Sequence, residues 1–207
     1  MKLAICFVLA YLIGSIPSGV WIGRGFFHKD IRASGSHNIG TTNAYRVLGP
    51  IGGTVVLAMD ILKGTLGASL PALFGITPHW WVLLVGLAAV FGHAFSIFIG
   101  FKGGKAVATS AGICLAYSPL FFAFACVVFI SLVLLTSMVS IASTLGMAIV
   151  TIGSLFMHDW PLTVVCFGIW VLFMIRHKDN FARIKAGKEN MVPFGLGQIL
   201  RRRRQAK

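Results

Sequence analysis

The chain has 207 residues, of which 57% are hydrophobic and 11% are charged, and its mean hydropathy is +0.88. Soluble domains are about half apolar and about a quarter charged, so this composition excludes an ordinary soluble protein and indicates a polytopic membrane protein. The net charge of +13 lies mainly in three loops and a tail. This distribution is typical of cytoplasmic loops next to anionic lipid, and it needs no nucleic acid to explain it.

The first apolar segment, residues 3–23, predicts a membrane span that is retained rather than cleaved as a signal peptide. Its middle is interrupted by Gly14, Pro17 and Gly19. Such a break at membrane depth is tolerated only where protein, not lipid, surrounds the backbone. We therefore expect a broken first span packed against other helices. A basic loop, residues 24–50, follows it.

Two more spans are predicted at residues 51–74 and 80–99. From residue 106 to 175 the chain then has a single charged side chain, Asp159, and cationic loops adjoin both ends of this block. Because cationic loops face the cytoplasm, the block must cross the membrane an even number of times. Four short crossings fit the breaks at 117–119, 137–140 and 158–161, since a span needs only about 20 residues.

The predicted fold class is therefore all-α, a polytopic helical bundle of seven transmembrane helices with the amino terminus outside and the carboxyl terminus in the cytoplasm. Five spans is the alternative. We expect one membrane-embedded domain over residues 1–207. Its last part, 190–207, is a basic cytoplasmic tail with four consecutive arginines at 201–204, which we interpret as an anchor on anionic headgroups.

The polar residues do not form a metal site or a familiar catalytic set. The four cysteines, at positions 6, 114, 126 and 166, are scattered through apolar segments. We interpret them as small buried hydrophobic residues. No acidic cluster fits magnesium or calcium, and no Cys and His set fits zinc. Neither a Ser-His-Asp arrangement nor a His followed five residues later by Asp is visible. We expect no cofactor and chemistry based on binding, orientation and electrostatics.

The first loop is dense in glycines and short hydrogen-bonding side chains. An arginine, Arg46, lies at the end of this polar segment. Backbone N–H groups and hydroxyls in such a loop can surround an oxyanion while the guanidinium adds a planar positive charge. An ordinary turn followed by a helix cap is the alternative. The candidate residues here are Gly35, Ser36, Asn38, Gly40, Thr41, Asn43 and Arg46.

The second loop places Gly103 and Gly104 between Lys102 and Lys105, just after the third predicted span. Glycines let a ligand approach the backbone, and lysines supply charge, so the segment suits phosphate. It is not a Walker A loop, because Lys105 is followed by alanine rather than Ser or Thr. Charge at a helix end explains Lys102 alone. His93 lies inside the preceding span. The sequence is equally consistent with His93 contacting a ligand and with His93 being a polar group that packs between helices.

The third cluster follows the last span. If the segment is helical, Arg176, Asn180 and Arg183 share one face, with His177 beside them. A positive patch flanking a span is the alternative. Glu189 either orients an arginine of this face or only balances charge.

Asp60 and Lys63 lie one helical turn apart inside the second span. Ionisable groups in a span are costly, so they usually serve a site or pair with each other. We interpret these two as a structural ion pair.

Taken together, these segments resemble the bacterial acyl-phosphate–glycerol-3-phosphate acyltransferases, membrane enzymes that begin phospholipid synthesis. The resemblance runs in order over nearly the whole chain. It departs from the family pattern at His37, where glycine is usual, and at Ser96, where proline is common. The motifs that match are residues 14–17, the 35–46 loop, Asp60 to Gly64, the 92–109 segment, and Arg176, His177, Asn180, Arg183, Gly187 and Glu189.

The resemblance implies transfer of a fatty acyl group from acyl phosphate to the 1-hydroxyl of glycerol 3-phosphate, giving lysophosphatidic acid and phosphate. It implies a bacterial cell-membrane location with the site at the cytoplasmic face, with these substrates and membrane lipid as partners and no nucleic acid; protein partners are left open. The predicted catalytic residues are Ser36, Arg46, Lys105 and His177. The predicted substrate-binding residues are Gly35, Asn38, Gly40, Thr41, Asn43, His93, Lys102, Gly103, Gly104, Asn180, Arg183 and Glu189.

The main alternative is a transporter or channel for phosphate or an organic anion. Broken helices with glycine and polar residues are common in transporters. Transport also predicts internal repeats and ionisable groups near the bilayer midplane. No clear repeat is visible, and the polar residues cluster towards one face. The sequence therefore favours an enzyme.

Overall fold

The computed structural model describes residues 1–205, with side chains described as far as Arg203; Ala206 and Lys207, at the end of the predicted basic tail, lie outside the described part. Within residues 1–205 the regular structure consists of α-helices and two short 3₁₀ turns, without a strand, so the all-α prediction is confirmed. The chain divides into two compact units, Met1–Pro119 and Leu120–Lys207, which are described separately below.

The first unit is built around one long helix. Helix α3 has a kink at Gly49, whose φ of 78° is outside the helical region, and it packs against all four other helices of the unit. Helices α1 and α4 approach closely at Gly14, where an added Cβ would lie 2.1 Å from the backbone oxygen of Ala89. The five helices are α1 (Lys2–Ser15), α2 (Ser18–Phe27), α3 (Thr41–Leu73), α4 (Trp81–Ala94) and α5 (Val107–Tyr117).

The predicted break in the first span is confirmed. Helices α1 and α2 meet at Ile16 and Pro17 with a bend of 42°. The break frees backbone carbonyls that other parts of the unit satisfy. The Lys63 ammonium donates to the oxygen of Ile16 at 2.8 Å, and the Ser96 hydroxyl donates to the oxygen of Ser15. Protein groups thus replace the hydrogen bonds that lipid cannot supply.

The second unit contains α6 (Pro119–Thr136), α7 (Val139–Leu155), α8 (Trp160–Arg176), α9 (Lys178–Lys185) and α10 (Leu196–Gln205). Helices α7 and α8 pack against each other, and Asp159 caps α8 by accepting the N–H of Leu162 at 3.1 Å. Helices α8 and α9 meet at His177 with a bend of 57°. The breaks predicted near residues 118, 137 and 159 are therefore all present.

Within the described residues, three helical segments are long and apolar enough to cross a membrane: Thr41–Leu73, Trp81–Ile99 and Pro119–Thr136. Counting each bent pair, α1 with α2 and α8 with α9, as one span raises the number to five, and α5 and α7 are shorter apolar helices. A membrane-embedded helical protein is thus supported. The count of seven spans and the orientation of the termini stay predictions.

Two predicted boundaries differ from the structure. The first basic loop spans residues 28–40 rather than 24–50, because α2 continues to Phe27 and α3 already begins at Thr41, before the kink at Gly49. The third span is α-helical only to Ala94. The Phe95 backbone leaves the helical region, with φ −133° and ψ 62°, and a 3₁₀ turn at Ile97–Ile99 completes the segment.

Candidate active site

The side chain of Asn43, in the first turn of α3, shapes the first loop. Its amide nitrogen donates to the backbone oxygens of Ile31, Ser34 and Asn38 at 2.7, 3.1 and 2.9 Å. Its oxygen accepts the N–H of Ser36 at 2.8 Å. Asn43 is only 1% exposed, so these bonds form in a sheltered place. The amide therefore holds the loop in its curve, and its predicted contact with substrate stays a prediction.

Two positions in this loop have a left-handed backbone. Gly35 has φ 68°, and a Cβ there would lie 2.2 Å from the Asn43 side-chain oxygen, so the residue needs both freedom and space. His37 has φ 57°, and its Nδ1 donates to the Arg32 carbonyl oxygen at 2.9 Å. Histidine is among the residues that tolerate this conformation best after glycine. This explains how the chain can have His37 where the family pattern has glycine.

An ion-pair cluster begins the same loop. The Asp30 carboxylate accepts from the Arg32 and Arg24 guanidinium groups, both at 2.8 Å. The hydrogen bonds from Arg32, more than those from Arg24, hold the pKa of Asp30 well below its usual range. A lowered folded-state pKa means that this cluster stabilises the fold above about pH 3.9, the unfolded value, and that this stabilisation is lost as the pH falls towards the folded value.

A buried carboxylate, Asp60, joins the first loop to the middle of the unit. Its oxygens accept from the Ser18 hydroxyl at 2.9 Å and from Thr41, the first residue of α3, at 3.5 Å. The Lys63 ammonium lies 2.7 Å away, so the predicted ion pair is confirmed. His93 Nδ1 lies at 3.7 Å. Both Asp60 and Lys63 are almost fully buried, at 1% and 6% exposure.

His93 in turn supports the second loop. Its Nδ1 also lies 3.2 Å from the Thr109 hydroxyl, and its carbonyl oxygen accepts the N–H of Gly104 at 3.0 Å. A Cβ at Gly104 would lie 2.3 Å from His93 Nε2, and one at Gly103 would lie 2.0 Å from the His93 oxygen. The two glycines are therefore needed for close approach to His93. His93 is 4% exposed, which favours a role in packing this loop; direct contact with substrate stays a prediction.

The remaining candidates of the first unit lie around these two loops. Asn38 accepts the N–H of Gly40 at 2.9 Å in a tight turn just before α3. Arg46 is exposed one turn into α3, Lys102 is exposed, and Lys105 is half-buried. The beginning of α3 adds a positive dipole end about one turn before Arg46, which is an arrangement that suits a phosphate.

Glu189 organises the polar cluster of the second unit. One of its oxygens accepts from the Ser140 hydroxyl at 3.0 Å and from the Asn180 amide at 2.7 Å. The other accepts from Arg183 Nε at 2.9 Å. Glu189 is 5% exposed, whereas the Arg183 side chain is 36% exposed. Of the two roles considered for Glu189, orienting an arginine is the one that the geometry supports.

His177 lies at the bend between α8 and α9 and is 2% exposed. Its Nδ1 lies 2.8 Å from the carbonyl oxygen of Phe173. A carbonyl only accepts hydrogen bonds, so Nδ1 has the proton and Nε2 is the basic nitrogen of the neutral ring. The bend also corrects one expectation. Arg176 ends α8, so it does not share a continuous helical face with Asn180 and Arg183, which lie on α9.

The structure thus brings several of the predicted residues together within each unit. In the first unit, Thr41, His93 and Gly104 are joined through Asp60. In the second, Asn180, Arg183 and Glu189 converge. Sequence reasoning missed Ser18 and Ser140, hydroxyls that bind the two buried carboxylates. No local signal distinguishes them, because each partner lies 42 or 49 residues away in the chain.

An apolar groove with a volume of about 490 Å³ lies between α6 and α7. Small and aromatic residues, Phe121, Phe124, Gly153 and Phe156, are among those that line it. Of the α7 residues that line the groove, Ile149 is the nearest to Ser140. The two residues are about 14 Å apart along the helix, at about 1.5 Å per residue. The lining suits a hydrocarbon chain.

Comparisons with known proteins agree on one family. The family model described as glycerol-3-phosphate acyltransferase matches residues 4–187. Proteins named glycerol-3-phosphate acyltransferase from Lacticaseibacillus casei and Latilactobacillus sakei are 69% and 62% identical, covering 99% and 95% of both chains. The crystal structure of PlsY, an integral membrane glycerol 3-phosphate acyltransferase, in its glycerol 3-phosphate form has a TM-score of 0.84 at 34% identity, covering 93% of this chain and 96% of that one. Its lysophosphatidic acid form gives 0.82, covering 92% and 95%.

Proposed function

The chain belongs to the glycerol-3-phosphate acyltransferase family, and on that premise we propose that it uses acyl phosphate as the acyl donor and the 1-hydroxyl of glycerol 3-phosphate as the acceptor. The products are lysophosphatidic acid and inorganic phosphate, and the reaction is the first step of bacterial phospholipid synthesis. Because the family is one of acyltransferases, the alternative of an anion transporter is rejected.

The chemistry needs little from the protein beyond positioning and charge. The acceptor oxygen attacks the acyl carbon of the donor, the bond to the donor phosphate breaks, and phosphate leaves with the electron pair. Acyl phosphate is a mixed anhydride with a good leaving group, so neither a covalent nucleophile nor a metal is required. Both substrates contain phosphate, and holding two phosphates together in reacting geometry supplies much of the rate.

One observation supports this proposal most directly. The two glycine-rich loops of the first unit are attached to the same buried carboxylate, because Asp60 accepts from Thr41 at the end of the first loop and contacts His93 under the second. The two loops are in direct proximity as well, since Ile39 of the first lies against Gly104 of the second. Two neighbouring loops that can each bind a phosphate are the arrangement expected for a reaction between two substrates that both contain phosphate.

We assign the following roles within the proposal. Ser36, with the backbone at Gly35, binds donor phosphate and the developing oxyanion, and Asn38, Gly40, Thr41 and Asn43 maintain the loop that does so. Arg46 and Lys105 neutralise phosphate charge, with Lys102 in support, while His93, Gly103 and Gly104 position the second loop. Asn180 and Arg183, oriented by Glu189, hold glycerol 3-phosphate.

His177 is the proposed general base. The Phe173 carbonyl fixes the proton of the neutral ring on Nδ1, so Nε2 is the nitrogen assigned to accept the proton of the attacking hydroxyl. A phosphate oxygen of a bound substrate is the competing base. The acyl tail lies between helices, and the apolar groove between α6 and α7 is of suitable character. We place the protein in the bacterial cell membrane as a single acyltransferase domain with its polar loops at the cytoplasmic face.

The donor is tested by acyl transfer with purified full-length protein in detergent. Glycerol 3-phosphate is offered with palmitoyl phosphate in one reaction and with palmitoyl-coenzyme A in another. We expect lysophosphatidic acid from the acyl phosphate alone, with release of one inorganic phosphate for each product. Product from the thioester alone would overturn the donor assignment and leave the acyltransferase standing.

Lys105→Ala tests the site in the same assay. We expect turnover to fall by about 10²–10³-fold, the effect of removing one preorganised charge-stabilising donor. Lys2→Ala is the matched control, because it also removes a lysine at the end of a predicted span but lies outside the proposed site; its rate should stay near wild type. A Lys105→Ala protein with wild-type turnover would refute the assignment.

A further inference from the structure

Helix α10 is attached to the second unit by its backbone rather than by its apolar side chains. The N–H of Gln198 donates to the Ser137 hydroxyl at 3.0 Å. A Cβ at Gly195 would lie 2.7 Å from the oxygen of Leu134, and one at Gly197 would lie 2.2 Å from the oxygen of Thr136. Glycines thus bring this segment directly onto the junction between α6 and α7.

The large apolar side chains of this segment lie on another side. Leu196, Ile199 and Leu200 recur at spacings of three and four residues, so they share one helical face, while Gly197 and Gln198 face the junction. These three side chains and that of Phe194 are between 46% and 54% exposed. Leu200 also lines a groove with Thr136, Met138 and Ile184, so packing within the second unit leaves about half of this apolar surface open.

The position of α10 along the spans indicates what covers this face. The junction to which it is attached lies between Thr136, the last residue of α6, and Val139, the first residue of α7. Helix α6 has 18 residues and is apolar enough to cross the membrane, so its last residue, Thr136, lies at a membrane surface. Helix α10 is thus held at the level where lipid headgroups meet acyl chains.

The charge of the segment points to anionic headgroups. Arg201, Arg202 and Arg203 follow directly after the apolar face and are exposed, and residues 190–207 contain no acidic residue. An amphipathic helix with leucine and isoleucine on one side and arginines beside them is typical of helices that lie in the interface of an anionic bilayer. The family model ends at residue 187, so this segment lies beyond the part that it matches.

We propose that α10 is an interfacial helix that binds the surface of a bilayer containing anionic phospholipid. Leu196, Ile199 and Leu200 insert between lipids, and the arginines bind headgroup phosphates. A second copy of the chain is a poorer occupant, because the few apolar side chains of this short helix provide far less than the about 800 Å² per partner that a stable protein interface needs. The inference does not depend on the acyl donor or on the catalytic roles proposed above.

The test measures the depth of position 199 in a bilayer. Ile199→Cys is made in full-length protein that also has Cys126→Ala, since Cys6, Cys114 and Cys166 are buried. The new thiol is labelled with a fluorophore whose emission shifts to the blue in an apolar environment. Nanodiscs are prepared from phosphatidylcholine alone or from phosphatidylcholine with phosphatidylglycerol, with and without a lipid-borne quencher. Arg201→Cys, two residues along and therefore on the opposite side of the helix from position 199, is the matched labelling position.

We expect the label at 199 to shift to the blue and to be quenched by the lipid in nanodiscs that contain phosphatidylglycerol, with a weaker effect in phosphatidylcholine alone. The label at 201 should respond less. High salt should reduce the difference between the two lipids, and so should the combined Arg201→Gln, Arg202→Gln and Arg203→Gln changes. If that variant does not fold, the salt titration of the unmodified arginines tests the same electrostatic attraction.

Two results would overturn the proposal. One is a label at 199 that stays in water and is not quenched in either lipid. The other is a blue shift that occurs equally in detergent and grows with protein concentration, because that result identifies a second copy as the occupant.

Discussion

At the scale of single residues, three buried polar side chains organise the polar segments. Asn43 holds the first loop with four hydrogen bonds, Asp60 joins that loop to His93, and Glu189 gathers Ser140, Asn180 and Arg183. Each is at most 5% exposed. Asn43 and Asp60 thus hold the loops in place, and Glu189 fixes the direction of the more exposed Arg183. Such supporting residues are as important to a preorganised site as the groups that contact substrate.

The ion pair of Asp60 and Lys63 gives a prediction at this scale. Removing one member leaves the other as an uncompensated buried charge, at a cost of about 3–5 kcal/mol, whereas removing both avoids that cost. We expect Asp60→Asn and Lys63→Met each to lower the midpoint of thermal unfolding in detergent, and the double variant to recover part of the loss. Arg24→Gln, which breaks an exposed ion pair, should have little effect. Single variants as stable as wild type would contradict this account.

At the scale of helices and loops, much could be predicted from the sequence because the breaks have local causes. Gly14, Pro17, Ser118 and Pro119 interrupt apolar runs, and the structure has helix ends at these places. The start of α3 was missed because its first eight residues, 41–48, precede a kink at Gly49 and are more polar than a span. The purpose of the glycines at 103 and 104 was only partly predicted. Their freedom suggested a ligand, but their closest neighbour is His93.

Gly104→Ala tests whether the close packing of the second loop against His93 is needed for turnover. An added Cβ would lie 2.3 Å from His93 Nε2, so the loop or the imidazole must move. A displacement of about 1 Å at a reacting group costs about 10²-fold in rate, so we expect turnover to fall by about that factor while the protein stays folded. Gly168→Ala in α8 is the matched control, since a Cβ there meets nothing within 4 Å. Equal rates for the two variants would show that the close contact with His93 is unimportant.

At the scale of the whole molecule, the distribution of charge predicted a membrane protein with polar loops at one face, and the helical structure and family membership agree with an integral membrane enzyme. The partners within each polar cluster could not be predicted. Ser140 and Glu189 are 49 residues apart, and Asp60 contacts His93 from a different helix. Hydrophobic periodicity locates helices, but it does not specify which buried polar groups meet when helices pack.

The number of membrane crossings can be tested by labelling from outside the cell. Cationic loops stay in the cytoplasm, so seven spans place residues 34 and 188 inside and residues 119 and 158 outside. Single cysteines are introduced as Ser34→Cys, Lys188→Cys, Pro119→Cys and His158→Cys, all at exposed positions, in the Cys126→Ala background.

Intact cells are then treated with a membrane-impermeant maleimide. We expect labelling of the cysteines at 119 and 158 in intact cells, and of those at 34 and 188 only after the membrane is opened. Residues 119 and 158 can both face outward only if the chain returns to the cytoplasm between them, at the junction of α6 and α7. That return requires the short helix α5 to cross the membrane, because it links the cytoplasmic second loop to residue 119. Labelling at 158 without labelling at 119 would instead favour five spans, with α5 not crossing.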